Sequence, residues 1–427
     1  MKISVSVASL CVGVFASGAF AAGAFAADVS VNGSLSEITQ GSDNYFLLNA
    51  PSGYTLKSLS AIDLSVLAAT PTTRYLLDSN YSYYKYFGPG ANDTALTSGT
   101  PESEKFSINH TSELSKYNFA VSWQRSDLTT TLLTETGNAT GRGSLDTYKV
   151  DGGVTRDLSR TDSISWSAHG TSVSFSDPGQ TPYAEFATNV AWNRSLSPTT
   201  TLTNSVNFDW LDQDDVAGDQ RLFWNATTAL QSQLSPRLFV NGSVSAIFVN
   251  TYQTGAVQLM TPSTLGLQGQ PGASHGWAEN FGLRYQLSPS TQISLTAAQT
   301  TTPTVLGQLQ QLDTIALNLS YAINHSSNLT FSTQFSHNPT PGSEADFFTA
   351  SANYGYKLTR EWRTNLSYTY GQRNDQTGLA RSNTILFGLV RDFTLYGKPP
   401  VAVAKTLSDL AQEDLMRAQQ ALPGFGP

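Results

Sequence analysis

Residues 117–124 read YNFAVSWQ, in which Tyr117, Phe119, Val121 and Trp123 alternate with Asn118, Ala120, Ser122 and Gln124. A two-residue period sorts side chains onto opposite faces of an extended strand, whereas a helix repeats about every 3.6 residues. The same alternation separates Val206, Phe208 and Trp210 from Ser205, Asn207 and Asp209. It also separates Ile315, Leu317, Leu319 and Tyr321 from Thr314, Ala316, Asn318 and Ser320. Each run lasts about ten residues or more, the length a strand tilted by about 45° needs to cross a hydrocarbon layer. Strands of water-soluble domains average about five or six.

The connections between runs alternate in length. Short ones fall at 69–72, 114–116, 158–160, 196–199, 234–237, 287–290, 324–327 and 358–361. Longer polar segments fall at about 41–53, 88–102, 126–144, 176–182, 211–219, 250–274, 300–310, 337–344 and 371–381. Eight short and nine long connections join eighteen strands. Three short ones share Leu-Ser-Pro: LSPT at 196, LSPR at 234 and LSPS at 287. Proline presets the backbone at the second turn position, where its missing N–H is not needed. The leucine before it marks the last contact with lipid. This pattern predicts an all-β fold, a transmembrane antiparallel up-and-down β-barrel with short turns facing the periplasm and long loops facing outside. Closure follows from chemistry: hydrocarbon offers the backbone no hydrogen-bonding partner, so an open sheet edge costs several kcal/mol per group.

Composition agrees. Charged residues make up 13% of the chain, against about 25% in ordinary soluble proteins. Beyond Ala27 no apolar run approaches the roughly 20 residues of a spanning helix. Lys2, an apolar stretch from Ile3 through Phe25, and Ala24-Phe25-Ala26 describe a signal peptide over 1–26, with the mature chain starting at Ala27 or Asp28. The only cysteine, Cys11, lies in that leader, and Leu10 before it is not the small residue a lipoprotein site needs. A mature chain without cysteine has no disulfide framework. A net charge of −8 argues against a nucleic-acid partner. Tyr81, Tyr83, Trp166, Tyr183, Trp210, Trp224, Trp277, Tyr285, Trp362 and Tyr370 are the expected aromatic girdles.

Over residues 29–397 the chain resembles outer-membrane β-barrels of Gram-negative bacteria. Its opening, SVNGSLSEITQGSDNYFLL followed by YTLKSLSAIDLSVLAATPTTRYLLDSNYSYY, is similar to the start of barrels associated with exopolysaccharide export systems, where an early Asp-Asn pair, here Asp43-Asn44, precedes two long strands. The resemblance implies outer-membrane lipids and lipopolysaccharide as surroundings. It also implies recognition by the assembly machinery through an aromatic residue of the last strand. Phe393 or Tyr396 supplies that residue, although some thirty residues follow it. Those residues, 398–427, form a periplasmic tail in which KTLSDLAQEDLMRAQQALPG reads as a short amphipathic helix, free in solvent, bound to a periplasmic partner or entering the barrel mouth.

If aromatic and aliphatic residues face lipid, the opposite faces line a lumen. That register places Arg74, Asp78, Lys149, Asp151, Asp209, Arg221, Arg237, Arg284, Lys357 and Arg363 inside, among many amides and hydroxyls. Sparse, mixed charge suits water and neutral polar solutes such as saccharides. In the longest loop, Val257, Leu259 and Met260 are too apolar for free solvent and are expected to fold into the mouth as a constriction, or to meet an outside partner. The stretch WLDQDDVAGDQ gathers Asp209, Asp212, Asp214, Asp215 and Asp219, but departs from a calcium-loop spacing. Five histidines, His110, His169, His275, His325 and His337, stand in no nucleophile or metal motif. The expectation is therefore a non-enzymatic barrel without metal or cofactor, acting as a passive pore or export conduit for hydrophilic solutes. A non-conducting barrel plugged by loops or tail is the first alternative, and a barrel enzyme acting on lipids or peptides the second.

Overall fold

A computed structural model describes residues 28–51, 53–92, 98–128, 131, 143–177, 180–213, 220–252, 272–303, 309–339, 344–376 and 378–397. The leader, the constriction residues Val257, Leu259 and Met260, and the tail 398–427 lie outside the described residues.

Eighteen long strands form one antiparallel sheet: β1 (Asp28–Ser42), β2 (Thr55–Ala69), β3 (Thr73–Phe87), β4 (Glu102–Thr111), β5 (Ser115–Asp127), β6 (Ser144–Asp157), β7 (Asp162–Phe175), β8 (Tyr183–Ser197) and β9 (Thr200–Gln213) make the first half. The second half is β10 (Gln220–Ser235), β11 (Leu238–Tyr252), β12 (Gly272–Ser288), β13 (Thr291–Pro303), β14 (Leu309–Ala322), β15 (Ser327–Asn338), β16 (Ala345–Lys357), β17 (Trp362–Asp375) and β18 (Gly378–Tyr396). A two-residue rung, Ser98–Gly99, pairs with the outer end of β3. Every strand pairs with its sequence neighbour, and β1 pairs with β18 from Val31↔Tyr396 to Ser42↔Thr384. The sheet is closed, as the alternation predicts, and its edges disappear.

The faces follow parity. Directly opposed residues such as Ile315 and Phe335, or Phe208 and Trp224, share the outer surface. Ile315 is 55% exposed and Phe331 44%. A wall so apolar outside and hydroxylated inside is stable only with lipid around it. Phe208 and Trp224 stack edge to face on that surface, with ring centroids 4.8 Å apart.

The Leu-Ser-Pro repeat has a structural cause beyond proline. In each turn the serine hydroxyl accepts the N–H two residues on: Thr199 N to Ser197 Oγ at 3.2 Å, Arg237 N to Ser235 Oγ at 3.2 Å, Ser290 N to Ser288 Oγ at 3.3 Å. This caps a backbone donor that leaves the ladder. Leu196, Leu234 and Leu287 just before them are exposed on the outer face. The Asp43-Asn44 pair fastens the seam. Asn383 donates through its backbone N and Nδ2 to the two Asp43 carboxylate oxygens, both at 2.7 Å, and Asn44 Nδ2 donates to the Arg381 carbonyl at 2.9 Å.

Two expectations are corrected here. The polar stretch 371–381 is not a long loop: β17 and β18 continue through it and are joined by two residues, because its polar residues pair across the strands, Gln372 with Arg381 and Asp375 with Gly378. Tyr183 is no girdle residue. It lies opposite Val173 and Gln213 on the lumen face, where it packs against Leu145 and Leu211 clusters.

Candidate functional site

The barrel encloses a cavity of about 3130 Å³. Its lining runs from Lys357, Arg363 and Asp392 at the periplasmic mouth to Tyr84, Leu145 and Tyr183 towards the outer end. Between these limits the wall is mostly amide and hydroxyl, and the side chains satisfy one another across strands. Thr203 donates to Asn193 Oδ1 at 2.8 Å, the Thr227 and Ser245 hydroxyls meet at 2.7 Å, and those of Ser332 and Ser351 meet at 2.6 Å. Glycine serves this wall as well. A Cβ on Gly282 or Gly355 would collide with the Oδ1 of the opposed Asn241 or Asn328, so the asparagine side chain rests over the space that glycine leaves.

Of the residues expected inside, Arg74, Asp78, Lys149, Asp151, Lys357 and Arg363 line the cavity. Asp78 opposes Lys105, and Asp151 opposes His169. Arg363 donates through Nη2 to Asp392 Oδ1 at 3.2 Å and opposes Lys357, so these three charged side chains stand together at the periplasmic mouth. Asp209 is on the lumen face of β9 but buried behind the cavity surface. Arg221 stands at the outer end of β10, its Nη2 3.4 Å from Gln213 Oε1. Arg284 lies over the Phe239 ring near the periplasmic end, 5.8 Å from its centroid. Arg237 differs from expectation: it sits exposed in the turn between β10 and β11, because that strand pair ends at Ser235 and Leu238. The ten residues are thus spread along the wall and do not converge on one centre.

Parity reasoning applied to other strands would have added Lys57, Asp63, Lys105 and Glu185, all on the cavity lining. Asp63 is well held, accepting from Ser34 Oγ at 2.9 Å and Asn80 Nδ2 at 2.6 Å. Asp209 and Asp212 of the acidic stretch fall on opposite faces of β9, since they are three residues apart, while Asp214, Asp215 and Asp219 lie outside the described residues. The histidines are equally scattered. His110 is on the outer face, its Nδ1 2.8 Å from Thr73 Oγ1; His275 and His337 are also on the outer face; His325 is in a periplasmic turn; His169 faces the lumen.

Apolar side chains interrupt the polar lumen towards its outer end. Leu211, Phe223, Ile247 and Val249 form one buried cluster, and Leu128, Leu145 and Val173 another. Leu211 is 0% exposed although it points inward from the wall.

No protein-family model and no curated protein matches this sequence. Among solved structures the chain is similar over 86% of its length to Pseudomonas aeruginosa OpdK with vanillate, at 8% identity, 99% coverage of that chain and a TM-score of 0.49. It is likewise similar over 86% of its length to Acinetobacter baumannii OccAB3, at 10% identity, 100% coverage and a TM-score of 0.47. A BenF-like porin from Pseudomonas fluorescens Pf-5 gives 9% identity, 99% coverage, again over 86% of this chain, and a TM-score of 0.48.

Proposed function

We propose that the protein is a passive outer-membrane pore for hydrophilic solutes. The observation that carries this reading is the cavity of about 3130 Å³, whose lining runs from the periplasmic turns to the outer third of the strands. Cross-strand amides and hydroxyls offer such solutes replaceable hydrogen bonds without a deep binding well, which conduction requires. Saccharides fit a wall of this chemistry. The apolar outer face and eighteen-strand closure suit the outer membrane of a Gram-negative bacterium, with lipid and lipopolysaccharide around the barrel. The assembly machinery would read Phe393 or Tyr396 on β18, and the tail would meet a periplasmic partner.

Purified protein in planar bilayers should give stable single-channel conductance, and proteoliposomes should swell in isosmotic disaccharide faster than empty ones. Lys357→Gln and Arg363→Gln should shift ion preference towards cations by removing positive charge from the periplasmic mouth. Silence in both assays overturns the pore. A plugged barrel is the second reading, favoured by one observation: inward-facing Leu211 and Val249 are almost wholly covered. Under it, the intact chain is silent and deletion of 253–271 or 398–427 restores conductance.

A further inference from the structure

On the lumen face of β7, β8 and β9 three ionisable side chains meet around a small residue. His169 and Asp209 both oppose Ala187, and Glu185 stands two residues further along β8 on the same face. Asp209 and Glu185 are in contact and joined by a hydrogen bond between their carboxyl groups. The Glu185 side chain is 4% exposed, and His169 Nε2 is 3.8 Å from its Oε1, beyond hydrogen-bonding distance. Among the described residues neither Glu185 Oε1 nor Asp209 Oδ1 has a hydrogen-bond partner. His169 is the basic side chain nearest to Glu185, and Lys149 and Arg221 each stand two strands from it in register.

Two buried carboxyl groups in contact are costly to ionise together, and each here keeps one oxygen without a donor. That cost falls when a positively charged donor meets the open oxygens. Glu185 is on the cavity lining, so such a group can arrive from the lumen. Val173 and Tyr183, the next pair towards the outer end, also line the cavity, as does Ile247 of the cluster that Tyr183 packs against. Carboxyl oxygens beside an apolar shelf complement a cation that carries an apolar body, whereas inorganic cations and sugars would leave the shelf unused.

We infer that Glu185 and Asp209 form a lumen subsite for an organic cation, an ammonium or guanidinium group whose apolar part lies on Val173, Tyr183 and Ile247. This names a substrate class for the pore and rests on that reading for transport, though not for binding.

The test uses full-length protein in detergent with three probes: benzylammonium, its neutral counterpart benzyl alcohol, and benzoate. Calorimetry should show benzylammonium binding and no comparable binding of the other two. Glu185→Gln and Asp209→Asn should each weaken it by about tenfold, the scale of one charge-assisted hydrogen bond. Unchanged heat-modifiable migration on gels would certify that each variant is folded. In planar bilayers, benzylammonium should reduce the current at lower concentration in the native chain than in Glu185→Gln. Equal binding by native protein and Glu185→Gln, or equal binding of benzyl alcohol, overturns the subsite. Calorimetric binding with electrical silence instead overturns the pore and leaves the subsite standing.

Discussion

At the level of Glu185 and Asp209, the wall from β8 to β10 carries its charges on the lumen face, whereas the wall from β12 to β16 carries a polar and charged row on its outer face. From β8 to β11 the lumen face carries Glu185, Asp209 and Arg221, and the outer face at that level carries Phe186, Trp210, Trp224 and Phe248. From β13 to β15 the lumen face is uncharged. Outside, Glu279, Gln299, Asp313, His337 and Asp346 stand directly opposite one another across five strands. His337 Nδ1 is 2.8 Å from Asp346 Oδ1. Parity therefore decides which face a side chain takes, and height along the strand decides what that face meets. Glu279 and Asp313 stand nine residues from the periplasmic ends of their strands, at Ser288 and Ala322. At about 3.3 Å per residue and a tilt of about 40°, that is about 23 Å up, near the top of an apolar band about 25 Å tall. The outer row marks the head-group boundary.

The largest expected effect breaks or confirms this distinction. Leu317→Arg puts a charge on the outer face of β14, four residues below Asp313, and should destabilise the barrel by about 2–4 kcal/mol in urea titrations of the membrane-inserted protein. Asn318→Arg, one residue on and facing the lumen, should cost far less. Equal losses for the two would mean that the faces are misassigned.

How far the sequence reveals this architecture depends on which physical signal each residue carries. Strand number, the eight short turns and the outward face are legible because lipid enforces alternation over ten or more residues. The join at 376–377 was hidden because lumen-facing strand residues are as polar as loop residues, so Gln372 and Arg381 read as loop. Tyr183 misled because an aromatic near a strand end serves a girdle outside or a lumen cluster inside, and only parity with Glu185 and Asn189 separates the two. The Glu185–Asp209 contact joins two strands through register, which composition does not encode.

The seam tests whether the barrel that holds both walls closes through side chains as well as backbone. Asp43→Ala removes two hydrogen bonds to Asn383 at 2.7 Å. Because the site is exposed, the expected loss is about 1 kcal/mol, read as a lower urea midpoint. Asp43→Asn keeps one acceptor and should recover part of it. A loss in Asp43→Ala as large as that of Leu317→Arg would make closure depend on this clasp rather than on the β1–β18 ladder.

The smallest effect compares two periplasmic turns, one on each side of the β8–β11 wall. Between β6 and β7, hydrogen bonds from the Thr161 and Ser159 hydroxyls hold the Asp162 carboxyl below the usual carboxylate range. Between β14 and β15, the neutral Asn324 Oδ1 accepts the Ser326 N–H at 2.8 Å instead. A carboxyl whose folded value is depressed contributes stability that is present above its unfolded value and is lost as pH falls through the folded one. Asp162→Asn should therefore lower the unfolding midpoint slightly at neutral pH and match the native protein once both are below the carboxylate range. Asn324→Ala should show the same deficit at both pH values, since no proton is exchanged there. If its deficit also vanished in acid, the convergence would reflect a general loosening of the barrel rather than the Asp162 carboxylate.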